Sequence, residues 1–317
     1  MKKNLTLIFL FCFLTGKLFA QTGDTWTQKL DCPDSTAIST IAFSIGNKAY
    51  FGTGLNTVGM VNYFWEYDPA NNSWSRKADF PGGSRAGAIA FTVNGKGYVG
   101  LGRDASFTYY NDLYEYDPTN NTWTPKAAFP GAARSWASAF SIADKGYVTM
   151  GYDGSFYNDL WAYTPSTDSW TQKVSCSGVA RSNAASFSVG GKGYVGVGNV
   201  NGSGTGIDFW EYDPVNNSWS QVANYQGTNV NGASAFSIGN SGFVGGGQTT
   251  SSNDNNDFYE YDAANNLWLQ RANIPVAKSY ASGFSVNGLG YFVGVNLRWV
   301  ITQLLCMNTL RFLPELL

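Results

Sequence analysis

Residues 111–124, NDLYEYDPTNNTWT, constrain this chain more than any other stretch, because they return. The further copies read YFWEYDPANNSWS, NDLWAYTPSTDSWT, IDFWEYDPVNNSWS and NDFYEYDAANNLWL. Tryptophans stand at 26, 74, 123, 170, 219 and 268, spaced by 48, 49, 47, 49 and 49 residues. Within one copy, Tyr114 and Tyr116 alternate with Leu113, Glu115 and Asp117, the period of a half-buried strand. Asp117-Pro118-Thr119-Asn120-Asn121 is turn chemistry: Asp bonds the backbone ahead, Pro presets φ, and Asn tolerates a left-handed backbone. Trp123 then opens a second strand. A two-stranded ribbon cannot bury these aromatic rows alone, so the copies must pack on one another.

A whole unit holds four strands. Residues 88–93 (AIAFTV) form strand a, Asn94-Gly95 is a hairpin turn, and residues 96–100 (KGYVG) form strand b. A longer loop leads to strand c at 113–117, and strand d starts near Trp123. In such a meander the a–b and c–d turns share one face, and the b–c and d–a loops share the other. The first face carries short uniform turns such as Asn94-Gly95, Gly190-Gly191, Asp117-Pro118 and Asp213-Pro214. The second carries divergent loops at 103–110, 152–157, 199–206 and 248–255, which points to binding there.

The period, the glycine pairs and the Tyr…Trp spacing resemble the kelch repeat, the blade of a β-propeller, from about Thr25 to Gly294. The expected fold is therefore all-β: a six-bladed kelch-type β-propeller over residues 21–296. Five blades are complete. The sixth takes strand d from the N-terminus at Trp26 and strands a and b from residues 279–294, which removes exposed edges. Its strand c is expected to be lost or altered, because residues 297–317 are apolar and repeat-free. The codons of Cys306-Met307-Asn308-Thr309, read one frame over, can spell Leu-Tyr-Glu-Tyr (with His allowed for either Tyr) at the right distance from Tyr291, so a frameshift is expected to account for this tail.

Residues 1–20 read as an export signal: Lys2 and Lys3, an apolar run at 5–14, and a cleavage site after Ala20. That run is too short to span a bilayer comfortably, and no later stretch could span one. Cys12 lies inside the run and the residue directly after the cleavage site is Gln21, not Cys, which argues against a lipoprotein. The chain has no histidine, excluding Ser-His-Asp and Cys-His catalysis and imidazole-held metals. A net charge of −2 argues against nucleic acid as partner. Cys32 and Cys176 each lie six residues after a repeat tryptophan, a slot filled elsewhere by Phe80, Phe129, Tyr225 and Ile274. They read as small core residues in different repeats, too far apart for a disulfide.

Six residues before the strand-a phenylalanine stands a recurring basic position: Arg85, Arg134, Arg181 and Lys278, with Ala37 and Val230 in the remaining repeats. By resemblance to kelch domains that bind peptides or sugar acids, these residues would ring the channel mouth and take a carboxylate. The opposing interpretation is packing, with the arginines bonding carbonyls between blades. Trp136, Ser182, Asn183, Asn231 and Tyr280 follow the slot and complete the candidate ligand set; Ser135 and the loop aromatics Phe107, Tyr109, Tyr152, Phe156 and Tyr157 are neighbours. Asp112, Asp159, Asp208 and Asp257 precede strand c and read as turn or edge residues. Residues 253–257 (NDNND) have calcium-like oxygen density without the loop pattern, and read as a solvated loop.

The leading expectation is an exported or envelope, monomeric, non-enzymatic binding propeller that takes a glycan, peptide or other anionic ligand without cofactor or metal. The alternative implied by the resemblance is a sugar-acid isomerase of the sialic-acid mutarotase type. Copper-dependent galactose oxidase activity is excluded by the missing histidines. A sialidase-like reading is disfavoured, because the turns read Asn-Asn-Ser-Trp in place of that family's Asp-containing motif.

Overall fold

The structure is a computed structural model that describes residues 24–33, 37–201, 204–294 and 297–301. The fold is all-β, with one short 3-10 turn at Pro165–Thr167. Among the described residues the strands form six four-stranded antiparallel sheets and a few two- or three-stranded ribbons. Sheet II has its strands a to d at Ile89–Val93, Lys96–Gly100, Leu113–Asp117 and Thr122–Lys126, close to the expected bounds. Sheet I runs from Ile41–Ile45 to Ser73–Arg76, sheet III from Ser138–Ile142 to Ser169–Lys173, and sheet IV from Ala185–Val189 to Ser218–Val222. Sheet V runs from Ser234–Ile238 to Leu267–Gln270. Each a strand neighbours the a strand of the next sheet, and that of sheet VI (Ser282–Val286) neighbours that of sheet I.

Sheet VI draws on both ends of the described chain. Trp26–Gln28 pairs with Leu297–Ile301, which pairs with Leu289–Gly294. Here the structure differs from the sequence expectation. The strand-c position is filled by the first five residues of the stretch read as an aberrant tail. Ladder hydrogen bonds use backbone groups alone, so a strand can form there without the Tyr-Glu-Tyr signature. Only residues 295–296 separate it from strand b, whereas residues 101–112 do so in sheet II. The frameshift expectation at residues 306–309 lies outside the described residues.

The repeat is an inter-sheet joint. Tyr116 Oη donates to Asn121 Oδ1 at 2.9 Å, and the same oxygen accepts the Ala78 N–H at 2.9 Å. Trp123 Nε1 donates to the Ala78 carbonyl at 2.9 Å. The motif's asparagine and tryptophan thus grip the end of the preceding sheet. Trp74, Trp170, Trp219 and Trp268 grip Leu30, Ala127, Val174 and Ala223 in the same way. Trp26 grips Ala272, which ties the N-terminal strand to sheet V.

Apolar burial is also divided by joint. Phe91 stacks on Tyr98 across strands a and b at 5.0 Å between centroids. The stacked pair recurs in every sheet, from Phe43–Tyr50 to Phe284–Tyr291. Each such phenylalanine also packs on the second residue of the next sheet's strand b. A Cβ on Gly146 would sit 2.1 Å from Phe91 Cε2, so the glycine of Lys-Gly-Tyr exists to admit its neighbour's ring. Cys32 and Cys176 are both buried, and belong to different apolar clusters.

Candidate functional site at the channel mouth

The arginine slot is interior. Arg85, Arg134 and Arg181 are 0%, 0% and 1% exposed. Each is paired with the aspartate that precedes strand c of its own sheet: Asp112 at 2.6 Å, Asp159 at 2.5 Å and Asp208 at 2.6 Å. Each also donates to a carbonyl at the end of strand b, on Leu101, Met150 or Val197. Arg134 lies 3.7 Å from the centroid of the Tyr157 ring. Burial would raise the Asp208 carboxyl, but the Arg181 guanidinium and the Trp210 N–H hold it below the ordinary value. These pairs brace the d–a connection against the b–c loop. The expected basic ring around the mouth is therefore corrected for these three residues: a guanidinium already chelated and dry is not offered to a ligand. The arginine is absent from sheets I, V and VI, and so is its pair with an aspartate: sheet I has Ala37 in the slot and Tyr63 before strand c. Sheet V has Val230 in the slot, and Asp257 instead accepts from Thr228. Lys278 is half-buried and makes no ion pair among the described residues; sheet VI has no long b–c loop to supply an aspartate.

The mouth is built two residues later. Ser39, Gly87, Trp136, Asn183, Gly232 and Tyr280 occupy the same position in successive sheets, and all six have left-handed φ between 52° and 65°. Each N–H donates to the carbonyl of the residue before it in this series, and Ser39 donates to Tyr280, at 2.8 to 3.1 Å. Six backbone hydrogen bonds thus close a hoop around the channel. Tryptophan and tyrosine are costly in this backbone region, by roughly 1–2 kcal/mol each. Their rings lie over the neighbouring glycines: a Cβ on Gly87 would sit 2.7 Å from Trp136 Cδ1, and one on Gly232 2.6 Å from Tyr280 Cδ1. The order polar, glycine, aromatic occurs twice around the hoop. Trp136 and Tyr280 are three places apart in a ring of six, so they stand opposite one another.

Above the hoop lies a cavity of about 480 Å³, lined by Ser39, Trp136, Ser182, Asn183 and Tyr280 together with Ile38, Leu55, Tyr152, Phe156 and Asn199. The shared lining of d–a and b–c residues places both loop sets on one face, as the meander requires. Asn231 acts at one remove: its Oδ1 accepts the Tyr280 hydroxyl at 2.6 Å. Burial, with the nearby Asp254 charge, pushes the Tyr280 phenol up, so it stays a neutral donor. Below the hoop the channel is lined by Thr40, Ser138, Ser186, Ser234, Ser282 and small apolar residues, none of them charged.

Trp136, Ser182, Asn183 and Tyr280 from the sequence set thus meet at one cavity, whereas Arg85, Arg134, Arg181 and Lys278 do not line it. Ser39, Ile38, Leu55 and Asn199 were missed. Ser39 carried a usable signal, since it follows Ala37 as Trp136 follows Arg134; the absent arginine hid the register. Among the described residues there is no group of three or more metal-ligating side chains, and no helix is long and apolar enough to cross a membrane.

Sheets of this kind, with their inner strands arranged about a channel, define a β-propeller. The solved structure of YjhT matches it with a TM-score of 0.71 at 18% identity, covering 86% of this chain and 95% of that one. No protein-family model and no curated protein matches the sequence. The expectation of a non-enzymatic binding propeller is corrected: the arginine ring that supported it is internal and neutralised, and the likeness to YjhT is one of fold.

Proposed function

We propose that this chain is an exported, six-bladed kelch-type propeller, closed by its N-terminal strand, that interconverts the anomers of a sugar acid at the channel mouth. Residues 1–20 would be the export signal and residues 21–296, extended by the strand to 301, the catalytic propeller. The observation that carries the reading is the pair of left-handed aromatics, Trp136 and Tyr280, opposed across a cavity lined by Ser39, Asn183 and Asn199. The cavity volume of about 480 Å³ lies within the range of about 300–1,000 Å³ usual for small-ligand sites. Aromatic faces suit the apolar faces of a pyranose, and amides and hydroxyls suit its hydroxyls.

Anomerisation needs no metal, redox centre or nucleophile. The anomeric hydroxyl loses a proton, the ring C–O bond breaks, the ring oxygen gains a proton, and the open carbonyl form recloses on its other face. Atoms and electrons balance within the substrate and water. Asn183, Asn199 and Ser39 would orient the sugar so that both protons pass through ordered water. Tyr280, held neutral, commits its proton to Asn231, so its oxygen would accept from a hydroxyl of the sugar.

The test is magnetisation-exchange NMR between the anomers of N-acetylneuraminate, with and without the processed protein. The expected outcome is exchange accelerated in proportion to protein, and lowered at least about tenfold by Trp136→Ala or Tyr280→Ala, a loss of roughly 1.4 kcal/mol or more of transition-state stabilisation. Exchange no faster than in buffer would overturn the reading.

A further inference from the structure

Among the basic residues of the d–a slot and the b–c loops, Arg103 differs from the three arginines described above. It sits at the start of the sheet II b–c loop, where its backbone bridges to Ala86 and to Tyr109, directly beside the hoop residue Gly87. Its guanidinium carbon lies 4.2 Å from the centroid of the Phe107 ring and 5.0 Å from that of Trp136. The cation is therefore held between two aromatic rings, one of them a wall of the mouth cavity. It makes no ion pair among the described residues. Among the described residues its guanidinium makes one hydrogen bond, a long contact of 3.4 Å from Nη1 to the Asp104 carbonyl. The adjacent Asp104 carboxylate is engaged elsewhere, by the Ser106 and Thr108 N–H groups and the Tyr110 hydroxyl.

Two further observations point to a missing acceptor. Arg103 Nε and Trp136 Nε1 are both buried without a hydrogen-bond partner, on side chains that touch. Unsatisfied buried donors are uncommon and destabilising. Phe107 adopts a left-handed φ of 62° and is 66% exposed, a costly arrangement for an aromatic residue unless its ring has a task. Here the ring covers the guanidinium. Arg103 Nη2 makes no hydrogen bond among the described residues and is not one of those buried atoms, so a cation oriented by two rings keeps an open donor, which a carboxylate matches.

We propose that Arg103, which adjoins the cavity through Trp136 and is not itself part of its lining, is the side chain that takes the carboxylate of the ligand at the mouth, with Phe107 and Trp136 fixing the plane of its guanidinium. This rests on the mouth cavity being the sugar-acid site proposed above. It moves recognition of the negative charge from the repeated arginine slot to a single loop residue that occurs once.

The test is calorimetric titration of the processed protein with N-acetylneuraminate and with N-acetylmannosamine, a neutral sugar, for wild type, Arg103→Gln, Arg103→Lys and Phe107→Ala. Wild type is expected to bind the acid at least about tenfold more tightly than the neutral sugar. Arg103→Gln should bring the acid down to the neutral level, with Arg103→Lys between, because an ammonium keeps the charge without the fork. Phe107→Ala should weaken the acid severalfold and leave the neutral sugar unchanged. The thermal midpoint of Arg103→Gln should match wild type, since no internal ion pair is lost. Unchanged affinity of Arg103→Gln for the acid overturns the proposal. So does a wild type that binds both sugars equally, which leaves the mouth reading standing. If wild type binds neither, the function proposed above falls and this inference falls with it.

Discussion

The two faces of the propeller use repetition in opposite ways. On the c–d turn face the side chains repeat: Asn72, Asn121, Asn217 and Asn266 each accept from a tyrosine of their own sheet and from the N–H of the preceding one. At the mouth the backbone repeats while the side chains do not. Six left-handed residues close one hydrogen-bonded hoop, yet they are Ser, Gly, Trp, Asn, Gly and Tyr. A side chain that recurs in sheet after sheet is holding sheets together. A recurring backbone that displays different side chains is a frame for something else. The three arginines fall on the first side of that division and Arg103 on the second.

The largest effect that would test this division comes from the paired arginines. Arg134→Leu leaves Asp159 without its guanidinium partner and the Met150 carbonyl without a donor. Breaking a buried ion pair from one side costs about 3–5 kcal/mol. The expected result is a loss of that size in chemical denaturation. If Arg134→Leu unfolds like wild type, the slot is not structural and the contrast with Arg103 collapses. Next in size is Gly146→Ala, which forces a methyl group into the Phe91 ring. Overpacking of this kind costs about 1–3 kcal/mol. The same change at Gly95, in the turn where a Cβ meets nothing within 4 Å, should show only the strain of its φ of 73°. The gap between the two variants therefore measures the packing of neighbouring sheets.

The scaffold was legible in the sequence because each sheet is specified locally and repeatedly. Alternation, Asn-Gly turns and the tryptophan period each act over a few residues, so five near-copies gave the strand bounds almost to the residue. The site was only half legible. Position in the repeat singles out Trp136, Asn183 and Tyr280, but only as neighbours of an arginine ring, and the arginines lie inside. The deciding interaction, Arg134 with Asp159, spans 25 residues and needs the b–c loop folded back on the d–a connection. Both halves were visible, Arg in one column of the repeat and Asp in another, and the matching occurrence in sheets II, III and IV was the signal that joined them. Arg103 left no such trace, because a residue that occurs once cannot be read from a repeat. Strand c of sheet VI escaped because it lacks the repeat's side chains.

A smaller effect probes the hoop itself. Asn183 holds a φ of 53°, which glycine adopts without strain. Asn183→Gly should therefore leave stability within about 0.5 kcal/mol of wild type while removing an amide from the cavity. Anomer exchange should fall severalfold with an unchanged denaturation curve. If stability falls by as much as in Arg134→Leu, the hoop side chains are structural after all, and the two faces do not differ in the way described.

The smallest effect sits on the uniform face, where one copy breaks the pattern. Asp168 replaces the asparagine of the other joints, with a left-handed φ of 45°. Its Oδ1 accepts the Tyr163 hydroxyl at 2.6 Å and the Ala127 N–H at 2.9 Å. Burial would raise its carboxyl, but these two donors and the Lys126 charge hold it below the ordinary value. A carboxyl lowered on folding contributes stability that is present above its unfolded value, near about 3.9, and is lost as pH falls through its folded value. The joint between sheets II and III should thus weaken below about pH 4, while its asparagine counterparts do not respond through this group. Asp168→Asn keeps an acceptor oxygen for both donors and should leave the neutral-pH midpoint nearly unchanged. It should move the acid unfolding midpoint to lower pH by a small amount. An acid midpoint that stays in place means that the joint carries the same strength with either side chain, and that its repetition, more than its charge, holds the sheets together.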